Sequence, residues 1–243
     1  MRASSIDNSQ RTAAKVAGWS GLLTFAIVVF GNFVLLNPLT VPGNAAATAQ
    51  NIVAHETQFR LTVVCFLTYS LGVVVLLSAL YVILKPLNPG LALVGALSRL
   101  VFAFLWLLST LNMLSALRLL SNANYLQVLE PDRLQALAKL HLGANFDAYY
   151  VGLPFFGLAA TICAWLWFKS NYIPKGLALV GVISSAWCVL CAFIFLVFPH
   201  FNEIVNDWWF DFPMALFELA ISFWLLFRGL RLAAPDQSQT GKT

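Results

Sequence analysis

Residues 60–84 read RLTVVCFLTYSLGVVVLLSALYVIL, and no charged residue follows Arg60 until Lys85. A helix needs about 20 apolar residues to cross a hydrocarbon core about 30 Å thick, so this stretch is long enough to span a membrane. Its apolar residues are continuous and do not alternate with polar ones, which favours a helix over a strand of a membrane barrel. The stretch therefore predicts a transmembrane helix.

The rest of the chain repeats this pattern. Hydrophobic residues make up 60% of the 243 residues and charged residues only 10%, which is far from the balance of a soluble domain. The sequence predicts an all-α polytopic membrane protein, a bundle of six transmembrane helices. The predicted spans are residues 16–37, 60–84, 91–117, 147–168, 176–198 and 211–230. They form one membrane domain, 16–230, between a polar tail, 1–15, and a C-terminal tail, 231–243, that we expect to be disordered.

The basic residues near the span ends divide unevenly between the two sides of the predicted bundle. Nine lie on the side of the amino terminus: Arg2, Arg11, Lys15, Lys85, Lys169, Lys175, Arg228, Arg231 and Lys242. Four lie on the other side: Arg60, Arg118, Arg133 and Lys139. Because basic residues near span ends favour the cytoplasm, both termini are predicted to be cytoplasmic, in a protein of the inner (plasma) membrane. This topology explains the net charge of +4 without a nucleic-acid partner.

The second outer loop carries a helical pattern of its own. Pro131 suits the first turn of a helix, and Gly143 suits the stop after its last turn. Leu134, Leu137 and Leu140 form one apolar stripe at helical spacing. The sequence thus predicts a short amphipathic helix that lies on the outer surface or caps the bundle.

Short motifs that are spread over most of the chain carry a family resemblance. They are PGNAAATAQNI at 42–52, AHE at 54–56, FR at 59–60, LY at 80–81, KP at 85–86, SRL at 98–100, GLPFFG at 152–157 and FKSNYIP at 168–174. In this order they resemble the bacterial membrane family called domain of unknown function 4386, over roughly residues 15–200. The resemblance implies a helical membrane protein of six or seven spans and no established activity.

The histidines of the chain, His55, His141 and His200, all lie in predicted outer connections. A candidate polar site near the outer face consists of these histidines with Glu56, Arg60, Asp147 and Glu203. Three histidines, or two histidines and a carboxylate, can hold zinc with one position open for water. Interfacial histidines are also commonly just polar, and the sequence after His55 lacks the second histidine of the helix-borne zinc-protease motif. Zinc is therefore an alternative here, and no cofactor is predicted.

Two charged residues lie deep inside predicted spans, Arg99 in the third and Glu218 in the sixth. Charges at such depth are costly and mark ion pairs or functional sites. Arg99 comes eight residues after Leu91 and Glu218 nine residues before Phe227, so both lie about 12–14 Å from the same membrane edge. The matching depths predict an ion pair with a structural role. Alternatively, Arg99 extends its side chain to the interface and Glu218 is protonated.

The sequence contains no Gly-rich phosphate loop, nucleophile elbow or nucleic-acid signature. The leading hypothesis is a non-enzymatic integral membrane protein that binds a lipid, another small apolar or amphipathic ligand, or a partner near its outer face. Two alternatives are open at this point. One is a metal-assisted membrane hydrolase that uses the outer histidines, and the other is a small transporter that uses Arg99 and Glu218.

Overall fold

A computed structural model describes residues 6–121, 128, 130–198, 200–205 and 207–231. Over these residues the chain is helical and contains no strand, as expected for an all-α protein. The helices, in chain order, are α1, Asn8–Val29; α2, Ala45–Ala54; α3, Glu56–Leu84; α4, Pro89–Leu120; α5, Pro131–Ser170; α6, Lys175–Val197; α7, Phe201–Ile204; α8, Asp207–Phe210; and α9, Phe212–Phe227. Helix α1 continues through a π-helical segment, Phe30–Leu36, and a 3-10 turn, Asn37–Leu39.

Five helices are long and apolar enough to cross a membrane: α1 with its extension, α3, α4, α5 and α6. Helix α9 is also apolar, but its 16 residues fall short of the about 20 that a crossing ordinarily needs. Each predicted span overlaps one of these six helices. The described chain is therefore a multi-pass helical membrane bundle.

Capping residues set several of the helix ends. Helix α1 begins with a capping box, in which Asp7 accepts from the Gln10 backbone and the Gln10 side chain accepts from the Asp7 backbone. Asn44 caps α2 by accepting from Ala47 N at 2.9 Å. Because α1 starts at Asn8, part of the polar tail 1–15 is helical. Of the predicted C-terminal tail, 231–243, only the first residue lies within the described part of the chain.

Helix α5 corrects the prediction of a separate amphipathic helix. The helix begins at Pro131 as predicted, but it does not end at Gly143 and runs on to Ser170. A glycine inside a helix costs only about 1 kcal/mol relative to alanine. Asn145, two residues later, is buried and bonded to Ser109 of α4, so packing holds the helix together across the glycine.

The long helices form a closed ring. Helix α1 packs on α3, α3 on α4, α4 on α5, α5 on α6, and α6 on α9. Helix α9 packs back on α1, where a Cβ added to Gly18 would lie only 2.8 Å from Leu226 Cβ. This order places α4 and α9 on opposite sides of the ring. Side chains that these two helices direct inward can therefore meet across its centre.

The outer surface of the ring is apolar. Trp19, Leu71, Leu111, Ile183 and Phe193 are each more than half exposed. Such a surface would promote aggregation in water, but it matches the hydrocarbon core of a bilayer. The polar groups lie instead in the interior, where they form the site described next.

Candidate functional site

Arg99 of α4 and Glu218 of α9 form an ion pair across the ring. Arg99 Nη1 donates to Glu218 Oε2 at 3.1 Å, and Nη2 donates to Oε1 of the same carboxylate. The guanidinium and the carboxylate thus meet in a fork of two parallel hydrogen bonds, the strongest arrangement for such a pair. The Arg99 side chain is 3% exposed and that of Glu218 18%, so Glu218 is the more accessible partner.

Aromatic rings cover the ion pair on the side nearer the C-terminal end of α4. The Arg99 guanidinium carbon lies 4.8 Å from the centre of the Phe156 ring, within cation–π range. The rings of Phe156 and Phe102 are 4.7 Å apart, and those of Tyr69 and Trp106 are 4.6 Å apart. A Cβ on Gly152 would lie 2.8 Å from Phe102, so the glycine leaves room for that ring. Charge and aromatic surface are thereby combined in the core of the bundle.

Two buried donors near the pair are unsatisfied. Arg99 Nε and Trp106 Nε1 make no hydrogen bond to any residue that the structure describes. They lie on the same helix seven residues apart, which is about 10.5 Å along α4. A buried donor without an acceptor costs about 1–3 kcal/mol, and Arg99 Nε is the one that belongs to the ion pair itself, whereas Trp106 Nε1 lies about two helical turns further along α4.

Polar contacts between α4 and α5 continue the site away from the ion pair. Ser109 Oγ donates to Asn145 Oδ1, and both side chains are buried. One helical turn further along α4, Asn112 Oδ1 lies 3.3 Å from His141 Nδ1. We call this set the interior column: Arg99, Phe102, Trp106, Ser109 and Asn112 of α4, His141, Asn145, Tyr149 and Phe156 of α5, and Glu218 of α9. From Arg99 to Asn112 it extends about 20 Å along α4.

Tyr149 ties the column to the beginning of α9. Its hydroxyl donates to Asp211 Oδ2, and Asp211 directly precedes α9. The Tyr149 ring also lies 6.1 Å from that of Trp106. Helix α9 is thus attached to the interior column at two levels, through Asp211 near its start and through Glu218 further along.

The three histidines contact three different partners. His55 is exposed at the break between α2 and α3, with Nδ1 3.1 Å from the Asn51 carbonyl oxygen. His200 is exposed too, with Nδ1 3.1 Å from Glu203 Oε1, whereas His141 belongs to the interior column. Among the described residues, no group of three or more His, Cys, Asp or Glu side chains could hold a metal ion. The zinc hypothesis therefore gains no support from the geometry.

The other candidate residues of the outer face lie apart from the column. Arg60 Nε donates to Glu56 Oε1 at 2.6 Å within one turn of α3, and both side chains are at least half exposed. A pair this exposed contributes little to stability. Asp147 is exposed on α5. Of the seven residues predicted for the outer polar site, only His141 reaches into the interior.

The chain matches a protein-family model, and the matched residues include this whole site. The family model described as domain of unknown function (DUF4386) matches residues 16–229. The chain belongs to this family. No curated protein and no solved structure matches the chain significantly. The DUF4386 match includes every residue of the interior column, so the column lies within the family's domain.

Sequence reasoning missed much of the column in this DUF4386 chain. The pairing of Arg99 with Glu218 was accessible because both charges stand out in apolar spans. Ser109 and Asn145 did not stand out, since small polar residues are common in membrane helices and bond to their own backbone. A signal was present in the spacing, because Trp106 follows Arg99 by seven residues and Ser109 follows Trp106 by three, so these three residues occupy neighbouring positions along α4.

Proposed function

We propose that this protein is a non-enzymatic, six-span protein of the inner membrane that binds a small amphipathic ligand with an anionic group inside its helix ring. The ligand enters from the outer face, where the interior column begins at His141 and Asn112. Its anionic group binds at Arg99, and its apolar part lies among the aromatic rings. The observation that carries the proposal is the buried guanidinium of Arg99, whose Nε has no acceptor among the described residues.

The donor count favours an anion. A guanidinium has five N–H donors, and the two carboxylate oxygens of Glu218 each accept one of them at hydrogen-bonding distance. Arg99 Nε and Trp106 Nε1 are further buried donors. A carboxylate or phosphate group offers acceptors and, when ionised, no donors. An anionic group therefore supplies the acceptors that the Arg99 donors need. An ammonium group would supply only further donors.

Glu218 is the group that a ligand would replace. It is the more exposed member of the pair, so its carboxylate can turn away and take up a proton while Arg99 stays in the core. The guanidinium fork binds a carboxylate or a phosphate in the same two-pronged manner. Phe102, Phe156 and Trp106 then provide the apolar and aromatic surface that lines most small-ligand sites.

Six spans with both termini in the cytoplasm fit the contacts at one end of the ring. Gln10 Nε2 near the start of α1 donates to Ile83 O near the end of α3 and to the Tyr172 hydroxyl, each at 3.2 Å. Arg231 N, just beyond α9, donates to Tyr172 O at 2.9 Å. The two ends of the described chain thus meet on one side, which requires an even number of crossings. The shortness of α9 would be accommodated by local thinning of the bilayer.

A set of ten-carbon probes tests the proposed ligand class. We expect decanoate and decyl phosphate to raise the thermal unfolding temperature of the purified protein in maltoside micelles, and decanol and decyltrimethylammonium to leave it unchanged. The double variant Arg99→Met/Glu218→Met should lose this response while it stays folded, because it removes both charges together. The control variant Arg60→Met, which disrupts only an exposed pair, should respond as the wild type does.

Two results would overturn the proposal. One is equal stabilisation by decanol and decanoate, which would mean that only the apolar chain is bound. The other is an undiminished response of the double variant, which would place the anion elsewhere.

The ion pair also favours a second candidate, a small transporter, because it joins helices on opposite sides of the ring. Exchange of Glu218 for a substrate anion would break that connection and free α4 from α9. Protein-dependent uptake of decyl phosphate into liposomes, abolished in the Arg99→Met/Glu218→Met variant, would support transport. Binding without such uptake would exclude it for this ligand.

A further inference from the structure

A groove runs between α1 and α3 on the outer surface of the ring, separate from the interior column. Its volume is about 650 Å³, and it is lined mainly by small or branched apolar residues. Ala13 and Ala79 are buried at its floor, and Val16, Val75 and Val82 on its walls are 36–48% exposed. Small side chains face each other across the two helices and leave this space, because none of them is long enough to fill it.

One end of the groove is polar. Asn8, Ser9 and Thr12 line it there, and all three are exposed at the beginning of α1. Ser78, further along the opposite wall, donates its hydroxyl to Val74 O within its own helix at 2.8 Å and so adds no free donor. The groove is therefore amphipathic along its length, apolar towards the middle of the bundle and polar where α1 begins.

Basic residues stand at the polar end. Lys85 follows Val82 by three residues and Ser78 by seven, so it continues the face of α3 that forms the wall. It is exposed, and its Nζ lies 5.8 Å from the centre of the Tyr81 ring. Lys15 on α1 is exposed and lies one helical turn deeper in the membrane than Thr12, so its long side chain reaches the polar end by extending back towards the interface. No described residue that lines the groove is acidic, and the exposed carboxylate of Asp7 beside Asn8 is outnumbered by the exposed basic residues Arg11, Lys15 and Lys85, so the polar end has a net positive surround.

We propose that this groove binds an anionic phospholipid from the leaflet on the side where α1 begins. One acyl chain lies along Ala13, Ala79 and the valines. The phosphate of the headgroup reaches Lys85 and Lys15, and its polar atoms bond with Asn8, Ser9 and Thr12. The position of the groove on a membrane-spanning surface makes a lipid the occupant, and the charge of its polar end selects an anionic headgroup.

Native mass spectrometry in detergent tests the proposal with two lipids of identical chains, dioleoylphosphatidylglycerol and dioleoylphosphatidylcholine. We expect one phosphatidylglycerol molecule to bind with clear preference. The variants Lys85→Gln and Lys15→Gln should each reduce that binding by about fivefold, the contribution of one basic residue to binding an anionic membrane surface. Lys169→Gln, which removes a charge from the end of α5, should bind as the wild type does.

A second pair of variants tests the groove itself. Ser78→Trp should fill it from an exposed position and prevent binding of phosphatidylglycerol. Ile183→Trp, at a residue that is also 61% exposed but lies on α6 across the ring from α3, is the matched control and should leave binding intact. Equal binding of the two lipids, or full binding by Ser78→Trp, would overturn the proposal.

Discussion

Arg99 and Glu218 lie on helices that face each other across the ring, yet their side chains meet in two parallel hydrogen bonds. Each residue neutralises the charge of the other, which lowers the free-energy cost of placing that charge in the core of a membrane protein. Helix α4 ends at Leu120 and α9 begins at Phe212, so 91 residues lie between the two helices in the sequence. The pair therefore fixes a long-range contact that adjacent packing around the ring does not provide.

Breaking this pair should be costly, and replacing it should not. We expect Arg99→Leu and Glu218→Leu each to destabilise the protein by about 3–5 kcal/mol, because each leaves one buried charge unmatched. The double variant should recover part of this loss, since apolar side chains fit the site without desolvating a charge. Thermal unfolding in detergent measures all three. Simple additivity of the two single effects would show that the residues do not stabilise each other.

The hydrogen bond between Ser109 and Asn145 should contribute a measurable coupling between α4 and α5. Hydrogen bonds between membrane helices contribute about 0.6 kcal/mol on average and about 1.7 at most, so we expect a coupling in that range. A double-mutant cycle with Ser109→Ala and Asn145→Ala gives the value. Ser115→Ala is the control, because Ser115 is outside the buried core and bonds only to Leu111 O of its own helix. A zero coupling would count against this contact.

These contacts mark the boundary between what the sequence predicts and what it leaves open. Apolar run length predicted the overlapping span positions, and Pro131 predicted the start of α5, because both depend on local properties. The continuation of α5 past Gly143 was mispredicted, because it depends on packing against α4. The closure of the ring by α9 on α1 was not predicted at all. It requires Gly18 of α1 to face Leu226 of α9, far away in the chain, and a single sequence does not reveal that relation.

Closure of the ring should be sensitive to volume at Gly18. A Cβ there would lie 2.8 Å from both Cβ and N of Leu226, so backbone must shift to accept it. We expect Gly18→Ala to destabilise the protein by about 1–3 kcal/mol, the usual cost of overpacking a tight contact. Gly176→Ala provides the comparison, because no atom lies within 4 Å of a Cβ added there. Equal unfolding temperatures for the two variants would show that α1 and α9 do not pack so closely.

Gly143 should behave in the opposite way. It lies in the interior of α5, and a Cβ added there meets no atom within 4 Å. Alanine is favoured over glycine in a helix by about 1 kcal/mol, so Gly143→Ala should stabilise the protein by up to that amount. Calorimetry or thermal unfolding of the purified variant measures the change. A loss of stability would indicate that α5 is interrupted at residue 143, as its sequence pattern first suggested.

The basic residues predict the orientation of the ring, and reporter fusions can test that prediction. Lys85 and Lys169 end helices on the side where α1 begins, and that side carries most of the basic residues near helix ends. Because such residues are retained in the cytoplasm, fusions after either lysine should be active as cytoplasmic reporters. Fusions within 121–140 should be active only as reporters of the outer side. A fusion at residue 130 that reports the cytoplasm would reverse the map and would place the entrance of the interior column on the inner face.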